Sequence, residues 1–228
     1  MRSSYTELEW NCNKIPVSKR FNDLYYSLEN GFDEAKHVFL KGNNIPKRFN
    51  EGFYVAELGF GTGLNFLTTW LEWRKSGTPG RFYFTSFEAY PMNPTDVAYA
   101  LSHFKKLEPF AKELCRMWEK LLFEGSLILS DVTLTLIIGD ARKTVPDWDA
   151  CADCWYLDGF APSKNPELWE IKLLKQVYNR TKVGGSASTY TAAGFVRRNL
   201  KQAGFCVQRL AGYGRKRHMT TAVKQNNF

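Results

Sequence analysis

Four acidic residues, Glu57, Glu88, Asp140 and Asp158, stand at or next to the ends of short runs rich in apolar and β-branched residues: FYVAELG, RFYFTSFEA, VTLTLIIGD and DCWYLD. Such runs predict buried strands. A carboxylate at the mouth of a parallel strand is costly unless something needs it there. Four acids along one rim therefore point to a site that handles positive charge or hydrogen-bond donors.

The stretch YLDGFAPSKNPELW, residues 156–169, carries the fourth of them. Tyr156 and Leu157 suit a sheet interior, and after Asp158 a run of Gly, Phe, Ala and Pro stops regular structure. A nitrogen nucleophile becomes positive as it attacks, so a carboxylate beside it is worth most in the transition state. Phe160 is expected to wall this site or stack on a base, and Lys164 to touch the substrate. Asn165 is expected to cap the helix that begins near Pro166.

The segment Glu57-Leu58-Gly59-Phe60-Gly61-Thr62-Gly63-Leu64-Asn65 ends the first of these strands and opens a helix. Its spacing is G-x-G-x-G, whereas the dinucleotide fingerprint is G-x-G-x-x-G with an acid about 20 residues further on. Glu57, two residues before the first glycine, would repel a pyrophosphate but could pair with a cationic amino acid. S-adenosyl-L-methionine carries an α-ammonium and a sulfonium and no phosphate. The loop is therefore expected to bind this methyl donor through Glu57, Gly59, Gly61, Gly63 and Asn65. Glu88 is expected to accept from the ribose hydroxyls, and Asp140 from the adenine amino group. For Glu88 and Asp140 a plain turn or helix-cap role is the competing explanation. A nicotinamide-dependent oxidoreductase on the same fold would need the other glycine spacing.

These residues need a scaffold that lines up strand ends. Residues 64–75 have helical spacing, residues 95–122 read as helices, and 193–202 as another. GGSASTYT is a further strand, and FCVQRL and TTAVKQ read as a closing antiparallel pair. Strands alternating with helices imply a doubly wound, Rossmann-like α/β fold, mostly parallel with a final antiparallel strand. In such sheets ligands bind at the carboxyl ends of the strands. Residues 1–50 are aromatic, loop-rich and without a sustained period, and are expected to form an appendage packed on a domain spanning 51–228.

The chain has 228 residues, with 31 Lys and Arg against 23 Asp and Glu, a formal net charge of +8. Arg197, Arg198 and Lys201 form one basic cluster and Arg215, Lys216 and Arg217 another, close in sequence to Tyr190, Phe195 and Tyr213. Clustered cations with interleaved aromatics predict a nucleic-acid partner. The five cysteines are scattered and odd in number, which argues against a disulfide framework. Cys151 and Cys154 have redox-motif spacing but no second ligand pair for zinc, and no metal is expected. No apolar run approaches ~20 residues and the start lacks a signal-peptide core, so a cytoplasmic location is expected.

ELGFGTGLNFL, SFEAYP, WYLDGFAPSKNPELW, AGFVRRNL and GYGRKRHM together resemble the methyltransferase domain of the MnmC/MnmD family. The N-terminal stretch PVSKRFNDLYYSLENGFDEAKHVFLKGN also matches, so the resemblance covers nearly the whole chain. It implies S-adenosyl-L-methionine-dependent methylation of 5-aminomethyl-(2-thio)uridine at the tRNA wobble position. The product would be the 5-methylaminomethyl nucleoside, with the anticodon stem-loop as partner. By the same resemblance Glu57, Gly59, Gly61, Gly63, Glu88 and Asp140 fall on cofactor-binding positions and Asp158 on the active-site acid. Bifunctional members continue into a flavin-dependent oxidase domain; the present sequence looks like the stand-alone type or an excised domain. Two alternatives are another amino-group methyltransferase acting on a nucleic-acid base and a non-catalytic tRNA-binding module. Keeping all four rim acids argues against the second.

Overall fold

The computed structural model describes residues 5–27 and 30–226. Three short antiparallel strands, β1 (Leu8–Trp10), β2 (Pro16–Ser18) and β3 (Asp23–Leu24), form a small sheet at the start of the chain. Helix α1 (Gly31–Ala35) follows, with the Asn30 side chain accepting from the Asp33 backbone N–H, and a π-helical turn, Lys36–Leu40, extends it. Phe32, Val38, Phe39 and Leu40 of this segment are buried in the same core as the helix after the glycine loop.

The main sheet is built from β4 (Tyr54–Leu58), β5 (Phe82–Glu88), β6 (Ser126–Ile128), β7 (Val132–Ile138), β8 (Ala152–Leu157), β9 (Thr181–Thr189), β10 (Cys206–Ala211) and β11 (His218–Val223). Their spatial order is β10-β11-β9-β8-β4-β5-β7-β6. Strands β4, β5, β7, β8 and β9 are parallel, while β11, β10 and β6 run antiparallel to their neighbours. The chain leaves β4 for β5 and β7 on one side, then returns to β8 and β9 on the other. The switch point thus lies between β4 and β8, where a crevice must open.

Helices α2 (Leu64–Ser76), α3 (Pro94–Leu101), α4 (Glu108–Arg116) and α5 (Trp118–Glu124) come before β7, and α6 (Ala141–Asp147), α7 (Ile171–Asn179) and α8 (Gly194–Ala203) after it. One apolar cluster gathers Phe66, Trp70, Phe84 and Trp118, and a second gathers Trp155, Trp169, Leu174 and Val177. With both faces covered, the central strands read as near-continuous apolar runs. Against that background Glu57 is conspicuous: it is fully buried within β4, paired in register with Ser86 on β5 and Tyr156 on β8.

The strands and helices expected from the sequence occur where periodicity places them. The structure adds β1, β2, β3, β6, α1 and α6. Strand β6 is a three-residue edge strand, and Pro146 interrupts the pattern of α6, so neither leaves a strong periodic signal. The helix expected to begin near Pro166 starts as a 3-10 turn, Pro166–Trp169, with α7 opening only at Ile171.

Candidate active site

The glycine loop is shaped by backbone demands that side chains would violate. Gly59, Gly61 and Gly63 all have positive φ, at 86°, 54° and 80°. A Cβ on Gly59 would sit 2.4 Å from the Asp158 carbonyl oxygen, so the exits of β4 and β8 meet backbone to backbone. The Gly61 N–H donates to Glu88 Oε2 at 3.0 Å, and Glu88 Oε1 accepts from the Tyr90 N–H at 2.7 Å. Glu88 thereby ties the loop to the end of β5 while facing the cavity.

Beneath the loop lies a carboxylate pair joined by one amide. Asn65, in the first turn of α2, donates through Nδ2 to Glu57 Oε1 at 2.9 Å and to Asp158 Oδ2 at 2.6 Å. Glu57 Oε2 accepts from Ser86 Oγ at 2.7 Å. Burial holds the Glu57 carboxyl well above the usual carboxylate range, and the nearby Asp158 pushes it the same way. Burial likewise pushes Asp158 up, to about 7. The Asn65 N–H and the Lys216 ammonium pull it down, while Glu34 pushes it up. An acid poised near neutrality beside a cavity is equipped to take or give a proton.

Glu57 corrects one expectation. It does not line the cavity, and both its oxygens are engaged by protein donors. Its link to the site is the Asn65 amide that it shares with Asp158.

The loop after β8 is tied down from several directions. Tyr190 Oη donates to the Gly159 carbonyl at 2.7 Å, and Trp169 Nε1 to the Phe160 carbonyl at 3.1 Å. The Ala161 N–H donates to Asp23 Oδ2 at 2.8 Å. Phe160 stacks on Phe21 with centroids 4.8 Å apart, and Tyr25 meets it edge-on at 5.0 Å, so the N-terminal segment covers part of this ring. Lys164 pairs with Asp23 at 3.3 Å and donates to the Asn22 carbonyl, which commits its charge to holding the two segments together. Across the cavity, Lys216 donates to Glu34 Oε1 at 2.8 Å and lies 4.1 Å from the Tyr190 ring centroid.

Asn165 is not the helix cap expected of it. It precedes the 3-10 turn but makes no side-chain cap bond, because its φ of −137° and ψ of 65° do not aim the amide at that turn. It is 7% exposed and lines the cavity.

Asp140 does cap: its side chain accepts from the Arg142 N–H at 2.9 Å and pairs with the Arg142 guanidinium at 2.6 Å. Those bonds hold its carboxyl below the usual range. It also lines the cavity. Of the basic residues, Arg215 and Lys216 line the cavity together with Lys164, whereas Arg197, Arg198, Lys201 and Arg217 do not. Arg197 is partly engaged, donating to the Ala192 carbonyl at 3.2 Å.

Sequence reasoning missed Phe21, Asp23, Tyr25 and Glu34 as parts of this site. They come from a segment with no period, and only tertiary packing brings them to the rim. Arg142, two residues past Asp140, did leave a legible signal.

The cavity enclosed by these groups measures about 740 Å³, within the ordinary range for a small-molecule site. Its residues fit S-adenosyl-L-methionine. The glycines let the loop fold tightly against Asp158, Tyr25 and Leu114, with Gly59 and Gly61 bordering the cavity and Gly63 facing Leu114 and Phe60 instead. Glu88 presents a carboxylate at the end of β5, and the cavity runs from Asp140 to Asp158. Among the described residues no three His, Cys, Asp or Glu side chains are grouped to hold a metal ion, and no helix is long and apolar enough to cross a membrane.

Comparison with known proteins agrees with this architecture. The crystal structure of MnmC2 from Aquifex aeolicus superposes with a TM-score of 0.75 at 23% identity, over 97% of this chain and 70% of that one. CalS10, an amino pentose methyltransferase from Micromonospora echinaspora solved with S-adenosylmethionine bound, gives a TM-score of 0.51 at 12% identity, covering 86% of this chain and 93% of that one. Spermidine synthase from Thermotoga maritima gives 0.53 at 12% identity, covering 96% and 71%. These likenesses concern the fold. The family described as S-adenosyl-L-methionine-dependent methyltransferase matches residues 105–225, more than half of the chain. The protein therefore belongs to the S-adenosyl-L-methionine-dependent methyltransferase family, with that compound as its methyl donor.

Proposed function

We propose that this enzyme methylates the primary amine of 5-aminomethyl-(2-thio)uridine at the wobble position of tRNA. The observation that carries the proposal is the carboxyl of Asp158, poised at about 7 beside the cavity and held by Asn65. The DGFAP-x-KNP and GRKR-x-M sequences, which resemble the MnmC/MnmD methyltransferase domain, supply the substrate class. The fold likeness to MnmC2 is consistent with it.

Glu88, Gly59, Gly61 and Asn65 would hold the methyl donor, with Gly63 turning the loop into α2 and Asp140 at the adenine end. When bound, S-adenosyl-L-methionine supplies an electrophilic methyl group on a sulfonium. An aliphatic amine is reactive only when neutral, so the substrate ammonium first gives its proton to solvent. The Asp158 carboxylate then stabilises the positive charge that develops on the nitrogen during attack and can accept the proton that the methylated ammonium releases. Phe160, backed by Phe21 and Tyr25, walls this site against water. Arg215 and Lys216 at the rim, with Arg197, Arg198, Lys201 and Arg217 further out, would meet the RNA backbone. In this scheme an N-terminal appendage, 1–50, packs on a catalytic unit spanning 51–228, and its Phe21, Asp23, Tyr25 and Glu34 border the site.

The test is nucleoside analysis of tRNA that carries the aminomethyl group but lacks the methyl, after incubation with the protein and S-adenosyl-L-methionine. Appearance of 5-methylaminomethyl nucleoside supports the proposal. Methyl transfer to the exocyclic amine of another base, or no transfer, overturns it.

A further inference from the structure

The loop after β8 is pinned at several polar points by residues from other elements. Tyr190 holds the Gly159 carbonyl, Trp169 the Phe160 carbonyl and Asp23 the Ala161 N–H. The Asn165 N–H closes the turn by donating to the Ala161 carbonyl at 2.9 Å. The Asn165 side chain makes no hydrogen bond to another described residue, although it is 93% buried and borders the cavity. No side-chain nitrogen or oxygen among the described residues is both sealed from solvent and unpaired, so the Asn165 amide must open into the cavity. An amide that meets solvent only through the cavity has donor and acceptor free for whatever fills that cavity, and a rigid loop that presents one is organised in advance for a ligand.

The amide type narrows the ligand. A carboxamide offers a donor and an acceptor side by side and carries no charge, which suits neither phosphate nor ammonium as sole partner. It matches the adjacent donor and acceptor on a nucleobase edge, the pattern that Asn and Gln read bidentately. We propose that Asn165 is a specificity-determining residue that reads a nucleobase edge in this cavity. Two bases could supply that edge: the adenine of the methyl donor and the pyrimidine of the substrate. The 3-10 turn after Asn165 carries Glu167, which acts on Arg142, the partner of Asp140. Asn165 also shares its loop with Asp158. The pyrimidine arm rests on the proposed function; the adenine arm rests on the methyl donor alone.

The experiment compares Asn165→Ala and Asn165→Asp with the wild-type protein. Calorimetry with S-adenosylhomocysteine and with its inosine analogue, in which a carbonyl replaces the amino group, reads the adenine arm. KM and kcat for undermethylated tRNA read the pyrimidine arm, once the wild-type protein is shown to methylate that tRNA. If adenine is the partner, both variants bind S-adenosylhomocysteine about 5–30-fold more weakly, the range for one or two lost hydrogen bonds. They also lose the wild-type preference over the inosine analogue. If the pyrimidine is the partner, KM for tRNA rises by a similar factor with kcat nearly unchanged and S-adenosylhomocysteine affinity intact. Wild-type failure on tRNA with a positive adenine arm would overturn the proposed substrate and leave this inference standing. Less than twofold change in both arms overturns it. So does a melting temperature lowered by more than about 5 °C in the nearly isosteric Asn165→Asp, which would mark the amide as structural.

Discussion

The Asn65 side chain donates to Asp158 Oδ2 at 2.6 Å, and the same amide nitrogen also holds Glu57 Oε1. One neutral group thus pulls down the titration of two acids that burial pushes up. Asn65→Ala removes a donor that favours the carboxylate form of each. A charge-assisted hydrogen bond contributes about 1.5–3 kcal/mol, enough to move a titration midpoint by at least roughly one pH unit. The acid limb of the kcat/KM profile, expected near pH 7 in the wild-type enzyme, should move to higher pH in Asn65→Ala. A profile that stays in place would show that Asp158 is not the titrating group.

Asp158→Asn keeps the size of the side chain and removes its charge and basicity. Turnover should fall by roughly 10²–10⁴-fold, the usual range for a lost acid–base group. Stability should move the opposite way. The folded carboxyl titrates at about 7, above its ordinary value of 3.8, so the native state holds more protons than the unfolded state between those values. Asp158 therefore costs stability progressively as pH rises through that window. Melting curves should show Asp158→Asn more stable than wild type by about 2–6 °C at pH 8 and by less at pH 5. An equal difference at the two pH values would contradict the raised carboxyl.

Glu88 holds the Gly61 and Tyr90 N–H groups and faces the cavity. Glu88→Ala should weaken S-adenosylhomocysteine binding at least about tenfold, through lost ligand contacts and a loosened loop. Calorimetry giving wild-type affinity in a folded variant would remove Glu88 from the cofactor site.

Gly59→Ala would bring a Cβ to 2.4 Å from the Asp158 carbonyl oxygen at a φ of 86°. The clash is with backbone, so relief requires separating the ends of β4 and β8. The expected loss is more than about 3 kcal/mol by denaturant titration. Gly77→Ala, also at positive φ but with nothing within 4 Å, should lose only about 1 kcal/mol. Equal losses would mean that strain at the two φ values, and not the close approach, dominates.

The proposed contact of tRNA with the turn between β10 and β11 is testable by salt dependence. Each true phosphate contact contributes roughly 0.7–0.9 to the log–log slope of affinity against salt. Arg215→Ala combined with Arg217→Ala should weaken tRNA binding and flatten that slope, with S-adenosylhomocysteine affinity retained. An unchanged slope would confine these arginines to solubility or to holding the final strands.

The parallel core was legible in the sequence because its strands are apolar on both faces and its glycine loop demands a conformation few other residues tolerate. The rim acids Glu88, Asp140 and Asp158 were legible for a related reason: each ends an apolar run, and a charge there needs a purpose. What each acid does was decided by packing. Glu57 and Asp158 look alike in sequence, yet the register of β4 places Glu57 against Ser86 and Tyr156, one layer behind the cavity, while Asp158 falls just past the end of β8 and opens onto it. Asn165 looked like a cap because local spacing favours one, whereas its amide makes no cap bond in a loop held by Asp23 and Tyr190 from far along the chain and by Trp169 nearby. Phe21, Asp23, Tyr25 and Glu34 join the site from a segment without periodicity, since contacts more than a hundred residues apart in the chain leave no local pattern to read.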